Sequence, residues 1–194
     1  MKTTNYIKNT TNNPISKIFL NNFYNVLIGE LKDLKPESIL DTGCGEGFTL
    51  AKLKKAKIGK KLEGIEYMDE AIQIGKKINP EILIKKGDIY KLPYIDNSFD
   101  LVLCTEVLEH LEDPGKALKE LKRVAKKYVV LTVPNEPLFT IQRVFRGKNI
   151  LGFGAHPEHI QHWSSRKFKE FVTQQLKVIN KKTPLPWTMI IAAK

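Results

Sequence analysis

The sequence predicts a doubly wound α/β domain, a mostly parallel sheet with helices on both faces. Three observations carry this. The run Ser38-Ile39-Leu40 ends in Asp41 and meets three glycines at alternate positions, Gly43, Gly45 and Gly47. A helical pattern through Leu50 and Leu53 follows directly. Strand-like apolar runs then alternate with amphipathic helices as far as Val133, the pattern of βαβ units with right-handed crossovers. Finally, acids close three successive strands: Asp41, Glu66 and Asp88. In an open sheet of this kind ligands lie at the carboxyl ends of the strands.

The elements follow in order. Met1 to Asn13 is polar and lacks the apolar core of a secretory leader. Asn13-Pro14 can open a helix, and Ile15, Ile18, Phe19, Phe23, Val26, Leu27 and Leu31 give it one apolar stripe. The first strand and glycine loop lead into a helix expected from about Glu46 to Ala56. Lys61–Glu66 is the second strand, and Asp69 is expected to cap the next helix, which carries Ala71, Ile72, Ile74 and Ile78. Glu81–Lys86 is strand three. Phe99–Cys104, apolar apart from Asp100, reads as a strand covered on both faces. Asp113-Pro114 opens a helix with Ala117, Leu118, Leu121, Val124 and Ala125 inside, and Tyr128–Val133 is strand five. Leu138, Ile141, Val144 and Phe145 suggest a short helix, and Gly147 to His162 reads as loop. Ser164 or Ser165 caps a last helix. Lys177–Lys182 and Trp187–Ala193, joined through Pro184 and Pro186, form a terminal antiparallel hairpin.

At 194 residues and 42% hydrophobic content the chain suits one domain with a real core, covering 1–194. No stretch approaches the roughly 20 apolar residues that span a bilayer. Two cysteines, Cys44 and Cys104, are too few for a disulfide framework and point to a reducing cytoplasm. One falls in the glycine loop and the other at a strand end, which would bring the two thiols near each other beside a ligand; two free, small hydrophobic thiols are the simpler reading. The net charge of +11 fits a polyanionic partner or an acidic substrate. It also fits a lysine-rich composition alone, since the lysines are dispersed without interleaved aromatics.

The loop chemistry narrows the ligand. Glycine lets a ligand approach backbone N–H groups at a helix start. A dinucleotide fingerprint would read G-x-G-x-x-G, whereas Phe48 stands where its last glycine belongs. A carboxylate ending strand two can accept both hydroxyls of a ribose, and Glu66 fits. Asp88 can accept from an adenine amino group while the Ile89 N–H faces the ring.

The pattern D-x-G-x-G-x-G at Asp41–Gly47 resembles the first motif of class I S-adenosylmethionine-dependent methyltransferases. The runs Gly87–Asp100 and Val107–Pro114 are similar to those of the small-molecule methyltransferases of ubiquinone and menaquinone biosynthesis. The resemblance covers about Ile39 to Val133. It implies a Rossmann-like seven-stranded mixed sheet of order 3-2-1-4-5-7-6, with residues 1–33 as a helical lead and 134–163 as a substrate-cap insertion. It also implies S-adenosyl-L-methionine as cofactor. Asp41, Thr42, Gly43, Cys44 and Gly45 would then hold the methionine portion. Glu66 would take the ribose, with Tyr67 and Met68 against adenine, and Asp88 and Ile89 at the adenine edge. Cys104 and Thr105 would face the amino-acid part and the sulfonium. The chain departs from the pattern at Ala125-Lys126-Lys127, where a Gly-Gly turn is usual.

Four histidines are available as a base. His110 follows strand four, and His156, His159 and His162 cluster before Trp163. His110 and His159 are the favoured catalytic candidates. No H-E-x-x-H pattern is present and the region reads as loop, so no metal is expected. The cap is apolar at Leu138, Phe139, Ile141, Phe145, Leu151 and Phe153 and basic at Arg143, Arg146 and Lys148. These predict a small acceptor with an apolar body and an acidic group. An RNA methyltransferase and a nucleotide-binding module without catalysis are the alternatives. Nucleic acid is disfavoured as a partner because no RNA-binding module or N-P-P-Y-type motif is present. A nicotinamide oxidoreductase lacks its third glycine.

Overall fold

The computed structural model describes residues 3–136 and 159–194. The chain forms α1 (Thr4–Asn9), α2 (Pro14–Leu34), β1 (Ser38–Thr42), α3 (Phe48–Lys55), β2 (Lys61–Glu66), α4 (Asp69–Ile78), β3 (Leu83–Lys86) and β4 (Phe99–Thr105). After a 3-10 turn (Leu108–His110) come α5 (Pro114–Val124), β5 (Ala125–Pro134), α6 (Ser165–Thr173), β6 (Lys177–Lys182) and β7 (Trp187–Ala193). The sheet has seven strands in the order β3-β2-β1-β4-β5-β7-β6, as the sequence predicts. β1 to β5 pair in parallel and β7 runs antiparallel to both β5 and β6.

Each face of the sheet carries its own core, because side chains alternate along a strand. Leu101 and Leu103 of β4 join the side covered by α2, α3 and α4, through Leu27, Leu31, Leu50 and Ile72. Val102 and Cys104 face α5 and α6, through Leu118, Leu121, Phe168 and Val172. The central strands β1, β4 and β5 are mostly apolar and buried on both faces, which orders the sheet's centre and leaves the strand ends to carry polar chemistry.

Most expected elements form, and several details differ; Ala125, expected inside the helix, opens β5 instead, and strand three begins at Leu83. Met1 to Asn13 is not featureless: Thr3 caps α1 by accepting the Tyr6 N–H at 3.0 Å. The α2 stripe is rotated. Leu20, Phe23, Tyr24, Leu27 and Leu31 are buried, whereas Ile15 and Ile18 are exposed because the first turns lie off the sheet. Helix α3 begins at Phe48, since Gly47 at φ +80° is its cap. Asp69 is the first residue of α4 rather than its cap, and its carboxylate pairs with Lys86. By contrast Asn13, Asp113 and Ser164 cap their helices as expected. The expected short helix over 138–145, most of the cap and His156 lie outside the described residues. No helix among the described residues is long and apolar enough to cross a membrane.

Candidate functional site

The carboxyl ends of β1, β2 and β4 meet at the glycine loop. Gly43 and Gly45 have φ of +70° and +55°, where a side chain is strained. Space excludes one too. A Cβ on Gly43 would stand 2.4 Å from Val107 Cγ2, and one on Gly45 would stand 2.5 Å from Asn5 Nδ2. The loop folds around the end of β2: the Gly43 and Cys44 N–H groups donate to the Ile65 carbonyl at 2.8 and 3.1 Å.

Glu66 ties loop and strand together. Its Oε2 accepts the Gly45 N–H, and its Oε1 accepts the Tyr67 and Met68 N–H groups, all at 2.8 Å. Oε2 keeps a lone pair for a further donor. Tyr67 and Met68 themselves are strongly exposed.

Asp41 is the opposite case. It is fully buried, and neither carboxylate oxygen has a hydrogen-bond partner among the described residues. Burial, with the Glu66 charge adding to it, pushes its pKa up to about 8. A buried acceptor without a donor is costly and marks a place where a cation or donor is missing.

Asp88 stands exposed at the end of β3, its Oδ1 accepting the Tyr90 N–H at 2.8 Å. The neighbouring Gly87 N–H donates to the Glu66 carbonyl at 3.0 Å, so Asp88 and the half-buried Ile89 follow β2 closely. Thr42 is buried and donates to the Leu103 carbonyl at 2.8 Å, a tie between β1 and β4. Thr105 closes β4. Both thiols are free and they do not lie together. Cys44 belongs to the core on one face of the sheet and Cys104 to the core on the other, because Cys104 points away from the α2 side. Burial raises both thiol pKa values.

Several site residues escape sequence reasoning. Helix α1 lies across the loop: Thr3 and Asn5 donate to the buried carboxylate of Glu46, and Lys8 pairs with Glu106. The Tyr24 hydroxyl donates to Asn9 Oδ1 at 2.9 Å and anchors the far end. Glu106 also accepts from the Trp187 indole and holds φ +56°, a strained value for a side-chain-bearing residue. Beyond it, Glu109 is buried with no partner for either carboxylate oxygen among the described residues. Its backbone carbonyl accepts the Ile160 and Gln161 N–H groups at 2.8 and 2.9 Å, and Gln161 Nε2 donates to the Leu111 carbonyl at 3.1 Å. These bonds bring His159 to His110, with ring centroids 4.9 Å apart. The only advance signal was the acid-rich run Glu106-Val107-Leu108-Glu109-His110; that it meets His159 is a long-range contact.

A groove lined by Leu31, Pro36, Ala56 and Gly59 lies at the amino ends of β1 and β2. That is the wrong end of a parallel sheet for the ligand.

Residues 40–133 match the sequence model of the methyltransferase domain family. Over that segment, just under half of the chain, it is similar to the class I S-adenosylmethionine-dependent methyltransferases. Norajmaline N-methyltransferase of Rauvolfia serpentina is 36% identical over 97 residues, covering 47% of this chain and 33% of that protein. Demethylmenaquinone methyltransferase of Lactobacillus johnsonii is 31% identical over 122 residues, covering 59% of this chain and 50% of its own. The chain thus spans a third to a half of the length of these two relatives. A SAM-dependent methyltransferase from Aquifex aeolicus shares the fold, with a TM-score of 0.67 at 22% identity and 88% of each chain covered.

The family's cofactor is S-adenosyl-L-methionine, and the residues of this methyltransferase domain fit it. The Asp41 carboxylate, without a hydrogen-bond partner among the described residues, suits an α-ammonium, and the glycine loop beside it carries no side chain at Gly43 or Gly45. The free lone pair of Glu66 suits a ribose hydroxyl, and the exposed Tyr67 and Met68 offer apolar surface to a base.

Proposed function

We propose that the protein transfers a methyl group from S-adenosyl-L-methionine to a small-molecule acceptor with an apolar body and an acidic group. The observation that carries the reading is Asp41: a buried carboxylate with no hydrogen-bond partner among the described residues, at the mouth of a glycine loop. In this role Asp41 and the Gly43–Gly45 backbone hold the amino-acid end, with Thr42 and Cys44 shaping the loop from within. Glu66 accepts from the ribose, Tyr67 and Met68 flank the adenine, and Asp88 and Ile89 read its edge. Cys104 and Thr105 wall the methyl-bearing side. When bound, the cofactor supplies a methyl carbon made electrophilic by its sulfonium, with a neutral thioether as leaving group.

Little covalent work is left to the protein. Alignment of acceptor and methyl is worth on the order of 7–11 kcal/mol when the geometry is good. An acceptor with a titratable proton must also lose it. His110 and His159, beyond the end of β4, are the groups that serve this step. The basic residues Arg143, Arg146 and Lys148 and the neighbouring apolar ones support the acceptor chemistry, as read from sequence.

The test is a screen of small-molecule acceptors for release of S-adenosylhomocysteine. Acidic, partly apolar compounds are expected among the hits, and Arg143→Ala with Arg146→Ala should raise KM for them. Hits confined to RNA, with steep salt dependence, would reject the small-molecule reading.

A further inference from the structure

Glu109, His110 and His159 form a cluster that core packing does not explain. A carboxylate oxygen and one nitrogen from each imidazole all lie within 4.8 Å of one another. Glu109 is 1% exposed and neither of its carboxylate oxygens is hydrogen-bonded among the described residues, so a buried acceptor is aimed into the cluster without a donor. Three ligands on one ion, each about 2.0–2.2 Å from it, would stand about 3–4 Å apart. The gap is within reach of small rotamer changes. The backbone is already set: Ile160 and Gln161 clamp their N–H groups onto the Glu109 carbonyl, and Gln161 reaches Leu111. Residues 49 or more apart in sequence are thereby held in one constellation.

We infer that Glu109, His110 and His159 bind a divalent transition-metal ion at the carboxyl end of β4. Two imidazoles and one carboxylate suit Zn²⁺ better than Mg²⁺, Ca²⁺ or Mn²⁺, which prefer oxygen ligands. Three protein ligands leave an open position, the arrangement of a catalytic rather than a structural site.

The role of the ion rests on the proposed methyl transfer; its binding does not. The open position takes the acceptor through a hydroxyl with a second oxygen beside it, such as a vicinal diol or hydroxy acid. The ion makes the bound hydroxyl more acidic. The hydroxyl releases its proton to solvent, its oxygen forms the new O–CH₃ bond as the S–CH₃ bond breaks, and that electron pair stays on sulfur. His110 and His159 then serve loss of the acceptor proton as ligands of the ion, in place of acting as free bases.

The full chain, stripped of metal with a chelator, is titrated with ZnCl₂ by calorimetry and with CoCl₂ by visible absorption. The expected result is one ion per chain with d–d bands of a nitrogen- and oxygen-ligated Co²⁺. Glu109→Gln, His110→Ala and His159→Ala should each weaken binding by at least roughly tenfold, and His162→Ala should not. If Glu109→Gln does not fold, His159→Ala carries the test. Failure of saturable one-to-one binding, or wild-type affinity in His159→Ala, overturns the inference. S-adenosylhomocysteine is titrated into the same samples. Its binding without metal uptake removes only the ion, and metal uptake without its binding removes only the methyl-transfer reading.

Discussion

Glu66 holds Gly45: the carboxylate at the end of β2 accepts the loop N–H at 2.8 Å through Oε2, while Oε1 accepts from Tyr67 and Met68. One acid therefore shapes the loop and keeps a lone pair free for ligand. Glu66→Ala should lose both. Charge-assisted hydrogen bonds are worth about 1.5–3 kcal/mol, so affinity for S-adenosylhomocysteine should fall at least about tenfold, with a lower Tm. Glu66→Gln, which retains one acceptor oxygen, should lose less of each. Equal affinity in all three proteins would exclude Glu66 from the ligand.

Gly43 faces Val107 across the loop. Gly43→Ala meets two obstacles, a φ of +70° and a Cγ2 at 2.4 Å. The backbone part costs about 1–2 kcal/mol. Val107→Ala added to Gly43→Ala should relieve the clash and leave the backbone part. Thermal denaturation of the single and double variants measures the recovery. No recovery would mean that Val107 is not the obstacle.

Asp41 makes stability and ligand affinity depend on pH in opposite senses. Its pKa is raised to about 8 by burial and by Glu66, so between its unfolded value and pH 8 the native state binds the extra proton. Stability from this group is therefore greatest at low pH and declines as pH rises toward 8. Asp41→Asn should remove that decline, gaining on the wild type between pH 5 and pH 8. An α-ammonium, in contrast, needs the ionised form. Cofactor affinity should strengthen by up to roughly tenfold per unit as pH rises from 6 to 7.5. Calorimetry in buffers of different ionisation enthalpy should show a proton released on binding. A flat affinity profile would count against Asp41 as the ammonium partner.

Helix α1 rests on Glu46, which is fully buried. Thr3→Ala with Asn5→Ala leaves that carboxylate without two of its donors. An unsatisfied buried acceptor costs about 1–3 kcal/mol. Tm should fall, and amide exchange should quicken over Thr4–Asn9 before it does in β4. Unchanged exchange there would show that α1 is held by other contacts.

The alternation of strands with helices and the strand-end acids are legible because each depends on local pattern, whereas the sheet order follows only from the family resemblance. Apolar runs of strand length, glycines at alternate positions and Asp-Pro or Asn-Pro starts act within a few residues. What escaped depends on distance. The polar start of the chain gave no sign that Asn5 and Lys8 reach Glu46 and Glu106, and periodicity could not tell that Ile15 and Ile18 overhang the sheet. Sequence puts Cys44 just past β1 and Cys104 near the end of β4, but their side chains enter the cores on opposite faces of the sheet. Sequence groups His159 with its neighbours His156 and His162. The structure instead joins His159 to Glu109 and His110, a contact set by two backbone hydrogen bonds that no motif encodes.

The measurement closest to the central claim is calorimetric titration of the purified chain with S-adenosylhomocysteine and, separately, with NADH. The account predicts one-to-one binding of S-adenosylhomocysteine, weakened in Glu66→Ala and altered in pH dependence in Asp41→Asn, and no binding of NADH. A folded chain that ignores S-adenosylhomocysteine, or that binds NADH at the same site, would contradict it.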